Sequence, residues 1–339
     1  MRILYAAMKY DYGDPKRGYS FEHYNFFDFF QNAGHEVLYF DFMDLARTRG
    51  RDYTNQRLLE IAKAEKPHLM FTVLFTDELD ASVIRQISDL PDVTTLNWFC
   101  DDHWRFDNYS KFWAPHFNWV ITTANSAVPK YKELQLHNVI KSQWGCNHVL
   151  YRKLDVPFEY DATFVGQPHG NRRQMVQELR DRGINVRCFG YGWEGGRVTQ
   201  DEMIRIFNQS RINLNFSNAS ARGRTSIVGA GLDWITRSLF PTALPAYSEQ
   251  IKGRNFEVPG CGGFLLTAKA DDLESYYEPG KEVVCFDGID ELAEKIKYYL
   301  ANDEERRRIA ECGYQRTLRE HTYTQRFQQI FRTMGLPDA

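Results

Sequence analysis

SEQIKGRNFEVPGCGGFLL, running from Ser248 to Leu266, decides how the rest of the chain is read. It opens on a polar segment holding Glu249, Lys252, Arg254 and Glu257. A turn of small residues follows, Pro259-Gly260-Cys261-Gly262-Gly263, and then the apolar run Phe264-Leu265-Leu266. A polar helix, a glycine-rich turn and a wholly apolar strand are the parts of a ligand-binding edge in a parallel α/β sheet, whose strands are buried on both faces. The two glutamates are separated by seven residues, with two cations among them. A carboxylate accepts from two hydroxyls of a sugar or ribose at once, and Lys or Arg beside helix-terminal N–H groups suits a diphosphate. The stretch therefore combines hydroxyl grips with phosphate grips, the two demands of a nucleotide sugar. Spacing between two glutamates fits a solvated helix face as well.

Outward from this stretch, the chain alternates strand and helix. Upstream lie apolar runs at Arg2–Met8, His35–Phe40, His68–Leu74, Thr94–Phe99, Trp119–Thr123 and Val139–Gln143, with helical segments such as Phe21–Asn32, Asn55–Glu65 and Asp80–Leu90 between them. Trp144–Pro157 has neither period and reads as an interdomain connection. A second series follows: strands at Asp161–Gly166, Asn185–Gly190 and Ile212–Phe216, helices opening at Asn171 and Gln200, then a long ill-patterned loop, Ser217–Ser248. The fold class expected is α/β, with two Rossmann-like, doubly wound domains facing across a cleft. The domains expected are 1–150, 151–320 and a C-terminal helix, 321–339, crossing back to the first.

The length of 339 residues suits two cores, and 43% hydrophobic residues with 15% aromatics can fill them. A net charge of −3 and a pI near 6.3 argue against nucleic acid or a membrane surface as partner. The six cysteines stand singly, without metal or disulfide spacing, and no apolar run reaches membrane-spanning length. A cytoplasmic location, no transmembrane segment and no metal are expected. Strand Thr94–Phe99 runs into Cys100-Asp101-Asp102-His103, carboxylates and an imidazole just past a strand end, where catalytic groups are found. Helix capping by Asp101 is the competing reading.

The residues from Arg254 to Thr267, with YYEPGKEVVCFDGIDELAEKIKYYL and the helical tail to Phe327, resemble the spore-coat CgeB-type glycosyltransferase-like family. That family in turn resembles the retaining family 4 glycosyltransferases of the GT-B fold. The likeness covers most of 161–332; upstream it rests on GYSFEHYNFF, the Asp-Asp after TTLNWF, and WGCNHVLYR. It implies a hexosyltransferase-like enzyme with UDP- or GDP-sugar as co-substrate, no cofactor, and a glycan, protein or small-molecule acceptor. It implies a ribose contact for Glu257, a place facing the transferred sugar for Glu249, and diphosphate contacts for Gly166 and Arg172 or Arg173. Gly262 falls in the matching small-residue turn and is counted with the donor-binding residues. The family's Gly-Arg and Lys-Gly pairs are replaced by GQPHGNRR, and IKGR stands where Phe-Gly is usual, which passes the phosphate role to Lys252 and Arg254. The catalytic set expected is Asp101, His103 and Glu249. Two other readings use the same fold: a nucleotide-sugar epimerase or hydrolase with Asp101, Asp102 and His103 as acid and base, and a non-catalytic coat or scaffold protein.

Overall fold

The structure is a computed structural model, and it describes residues 1–219 and 248–337. These residues divide into two units. The first takes residues 1–143 together with the chain from Arg326 onward, and the second takes residues 144–219 and 248–325.

In the first unit, β1 (Arg2–Ala6), β2 (Glu36–Phe40), β3 (Leu69–Thr72), β4 (Thr94–Phe99), β5 (Trp119–Thr122) and β6 (Val139–Lys141) form one sheet, ordered β2-β1-β3-β4-β5-β6. Every pairing is parallel, with Ile3 set against Val37 on one side and Leu69 on the other. Strands buried along nearly their whole length and mostly apolar, such as RILYA and LMFT, are what a sheet covered on both faces requires. The helix expected at Phe21–Asn32 forms, but with a π-turn over His23–Phe27 before its α-helical end, Asp28–Asn32. Four phenylalanines in five positions (Phe26, Phe27, Phe29, Phe30) crowd this segment, and an extra residue in the turn re-aims their rings. Helix Tyr323–Met334 completes the core. Phe327 stacks on Phe29 at 5.1 Å and meets Phe30 edge-on at 4.7 Å, with Trp98 6.1 Å away. Aromatic pairs at these separations add roughly 0.5–1.5 kcal/mol each beyond the area they bury.

In the second unit, β7 (Tyr160–Val165), β8 (Val186–Phe189), β9 (Ser210–Asn215), β12 (Leu265–Ala268) and β13 (Val284–Phe286) form a parallel sheet ordered β13-β12-β9-β7-β8. Phe164, Val186, Leu214, Leu266 and Val284 from the strands, with Val176, Leu179, Leu292 and Ile296 from the helices, make its core. Two short strands, β10 (Asn218–Ala219) and β11 (Ser248–Glu249), pair antiparallel. They begin and end the stretch 217–248, read above as one loop, whose remainder lies outside the described residues. Trp144–Pro157 carries no regular element.

Both sheets contain a point where strand order reverses, between β1 and β3 in the first and between β7 and β9 in the second. Loops leaving adjacent strands in opposite directions open a crevice there, at the carboxyl edge, and ligands of open α/β sheets occupy it.

Candidate active site

In the second unit, the crevice at β7 and β9 is built around two arginines. Arg172 opens the helix Arg172–Asp181 directly after the β7 loop and is only 8% exposed. Its Nη1 donates to the carbonyl of Gln167, just past β7, at 2.9 Å. Its Nη2 donates to the carbonyl of Phe216, just past β9, at 3.0 Å. One guanidinium thus spans the point of reversal. Arg254 opens the helix Arg254–Gly260, and its Nε donates to the carbonyl of Val165, the last residue of β7, at 3.3 Å. Burial and the neighbouring charge of Arg254 push the Arg172 guanidinium down to about 10. Burial works against the charge on Arg254 as well, but the Glu257 carboxylate and Tyr151 outweigh it and its pKa is raised. Two cations held this close are stabilised by an anion set between them.

Helix Arg254–Gly260 has its start at the carboxyl edge and its end at the amino edge, since it leads into β12. This polarity explains the fate of the other residues in the stretch. Asn255, pointing inward, accepts from the backbone N–H of Lys252 at 2.9 Å and from Asn215 at 3.0 Å, and donates to Thr267 at 3.2 Å. That network pins the helix start to β9 and β12. Lys252 lies half-buried just before the helix, at the same edge, and Glu249 is exposed on β11, opposite Asn218.

Glu257, expected at a ribose, is 0% exposed. It accepts from the Tyr151 hydroxyl at 2.7 Å through Oε1, while Oε2 is paired with the guanidinium of Arg254. Helical spacing accounts for this: Arg254 and Glu257 are one turn apart, so the carboxylate lies beneath the arginine it holds.

Gly262, expected among the donor-binding residues, takes a left-handed turn conformation just after the helix that Arg254 opens, with φ +71°. A Cβ there would stand 2.3 Å from Cε of Lys153. Gly262→Ala is therefore expected to lower the melting temperature, by roughly 1–3 kcal/mol of strain, while leaving the nucleotide affinity of the folded protein within twofold of wild type by calorimetry. A large loss of affinity at unchanged stability would return Gly262 to the binding site.

The sequence left Arg172 and Arg173 as alternatives, and the structure separates them. Arg173 is exposed, donates to the carbonyl of Gly192 in the β8 loop, and sits 5.1 Å from the Trp193 ring. Gly166 is where the β7 and β8 loops touch: its N–H donates to Phe189, and a Cβ on Gly190 would lie 2.3 Å from the Gly166 carbonyl oxygen.

In the first unit, Asp101 and His103 follow β4. Asp101 occupies the cap position of the short helix Asp102–Arg105, yet its side chain bonds none of the helix N–H groups. Asp102 is the buried one, accepting from Tyr131 at 2.8 Å, and burial pushes its carboxyl up to about 6 against the hydrogen bonds of Ser110, Thr122 and Tyr131. At the β1/β3 crevice the Tyr12 ring is half exposed in a left-handed backbone conformation (φ +53°), 5.5 Å from Phe75 and 4.5 Å from the Arg17 guanidinium. Nearby, burial with help from Asp11 and Asp101 pushes the Glu22 carboxyl up to about 7. Tyr12, Glu22 and Tyr151 were not singled out in the sequence. A glutamate inside a phenylalanine-rich helix start was the one available signal, and Tyr151 stands in a segment without periodicity. No group of three or more His, Cys, Asp or Glu side chains among the described residues is arranged to hold a metal ion, all six cysteines are free thiols, and no described helix is long and apolar enough to cross a membrane.

Residues 171–332, which include both arginines, match the glycosyl transferase-like family. The chain has the GT-B fold, which solved structures share over nearly its whole length. HepE of Anabaena in complex with UDP-glucose is similar with a TM-score of 0.62 and 11% identity, covering 99% of both chains. The sucrose-phosphate synthase of Thermosynechococcus elongatus is similar with a TM-score of 0.59 and 12% identity, covering 98% of this GT-B chain and 97% of the other. In sequence, the GT-B chain is 22% identical over 213 residues to the spore protein CgeB of Bacillus subtilis (strain 168), covering 60% of itself and 64% of that relative. It thus spans just under two thirds of the length of the curated relative it matches.

Proposed function

We propose that the protein is a glycosyltransferase that binds a nucleoside-diphosphate sugar in the β7/β9 crevice and transfers the sugar to an acceptor. The observation that carries this reading is the pair Arg172 and Arg254 at the point of strand reversal, beside the start of a ten-residue helix. The leaving nucleoside diphosphate gathers negative charge as the glycosidic bond breaks. Fixed guanidiniums and helix N–H groups stabilise that charge without reorganising, the largest effect a metal-free site can offer. UDP is the first nucleotide to try, since HepE was solved with it. Lys252, at the same edge, is proposed as a further phosphate contact, and Glu249, exposed on β11, as a contact to the hydroxyls of the sugar. Glu257 serves by holding Arg254. Retention of configuration fits attack from the face the leaving group vacates, with no side-chain nucleophile and no metal.

The first unit is proposed to supply the acceptor side, with the Tyr12 ring and the Glu22 carboxyl at its own crevice suited to a sugar ring and its hydroxyls. Asp101 is proposed to act in turnover. Asp101→Asn should lower kcat while leaving nucleotide affinity within twofold, and His103→Ala should do less. An unchanged kcat with a lowered melting temperature would make Asp101 a structural residue.

The experiment is to incubate the protein with UDP-, GDP- and ADP-sugars, with and without glycan acceptors, and to follow free nucleoside diphosphate and sugar identity. Release that depends on acceptor supports transfer. Release in water alone or a changed sugar points to hydrolysis or epimerisation, and binding without any reaction points to a scaffold.

A further inference from the structure

The connecting stretch Trp144–Pro157 contributes one side chain whose place the donor site explains. Tyr151 is 1% exposed, and its hydroxyl donates to Glu257 Oε1 at 2.7 Å across 106 residues of sequence. Glu257 passes the contact on through its other oxygen to Arg254, and Arg254 reaches the carbonyl of Val165 at the end of β7. The three side chains form a line from the connection to the carboxyl edge. The first two are sealed from solvent, and Arg254 alone, 24% exposed, has a surface left to offer.

We infer that Tyr151 is a positioning residue for the diphosphate, acting through Glu257 to set the pose of the Arg254 guanidinium. The inference rests on the donor-site reading above. A carboxylate carries about four acceptor positions, and how it divides them decides how it holds its arginine. With Tyr151 occupying Oε1, Glu257 engages Arg254 through Oε2, and the fork of the guanidinium keeps donors for Val165 and for a ligand. Without the hydroxyl, both carboxylate oxygens are open to the same guanidinium. The bidentate pair is the stronger arrangement, and forming it turns the guanidinium down onto Glu257 and away from the crevice. The role belongs to the phosphates and not to the nucleoside, because the line ends on a cation.

The test is a double-mutant cycle read by calorimetry with two probes, UDP and UMP, on the full chain. Tyr151→Phe keeps the buried ring and removes the hydroxyl. It is expected to weaken UDP about tenfold, the loss of one charge-assisted contact, and to change UMP by less than about threefold. In an Arg254→Lys background, Tyr151→Phe should have no further effect on UDP, since the residue it positions is gone. Equal losses for UDP and UMP, full additivity with Arg254→Lys, or unchanged UDP affinity would each overturn the role. If Tyr151→Phe does not fold, Glu257→Gln, which accepts from Tyr151 but holds Arg254 without charge, should show the same UDP-selective loss, and wild-type UDP affinity in it would overturn the inference. Failure of the wild-type chain to bind UDP, GDP or ADP would remove the donor-site reading itself, a different outcome from binding that ignores Tyr151.

Discussion

Glu257→Ala is expected to lower folding stability by about 3 kcal/mol. Removing one partner of a buried ion pair costs roughly 3–5 kcal/mol because the remaining charge is left uncompensated. Here Arg254 is 24% exposed and can turn part of its guanidinium to water, which reduces the cost. The Tyr151 hydroxyl, fully buried, loses its acceptor and adds about 1 kcal/mol. For a unit of this size the melting temperature should fall by roughly 10 °C. Glu257→Gln retains an acceptor for Tyr151 and should fall by about half as much. A melting temperature within 2 °C of wild type for Glu257→Ala, measured by circular dichroism, would contradict the buried position of this carboxylate.

Arg172→Ala should have the largest effect on nucleotide binding. Its guanidinium is the group that bridges the β7 and β9 loops, so its loss removes a charge from the crevice and two hydrogen bonds that shape it. A charged contact to phosphate is worth roughly 2–3 kcal/mol, about 30- to 150-fold in UDP affinity. UMP should lose less, and Arg172→Lys should recover only part of the loss, because an ammonium cannot donate to two carbonyls and a phosphate with one planar fork. UDP affinity within threefold of wild type in Arg172→Ala, by calorimetry, would place the diphosphate elsewhere.

Much of the fold was legible because parallel strands buried on both faces leave unmistakable apolar runs. RILYA, LMFT and WVIT each became a strand, and the break at Trp144–Pro157 carried no element. The two arginines of the candidate site were legible as a pattern too, for Arg172 and Arg254 stand at helix starts beside strand ends. What could not be read was direction. Glu257 and Gly262 belong to the same stretch as Arg254, but the helix carries one inward and the other to the far edge of the sheet, and helical spacing alone does not tell a ligand-facing carboxylate from one that holds its neighbour. Tyr151 was beyond reach for a simpler reason: its partner lies 106 residues away, and no local pattern marks a long-range contact.

The most direct test of the account is a thermal-shift measurement on the wild-type chain with UDP, GDP, ADP and the corresponding monophosphates. At 100 times its Kd, a nucleoside diphosphate should stabilise the folded protein by about 2.7 kcal/mol, and its monophosphate at the same concentration should do clearly less, because the proposed contacts of Arg172 and Arg254 are to the phosphates. Absence of a shift with every diphosphate, or a shift as large with the monophosphate, would contradict a diphosphate site at the β7/β9 crevice.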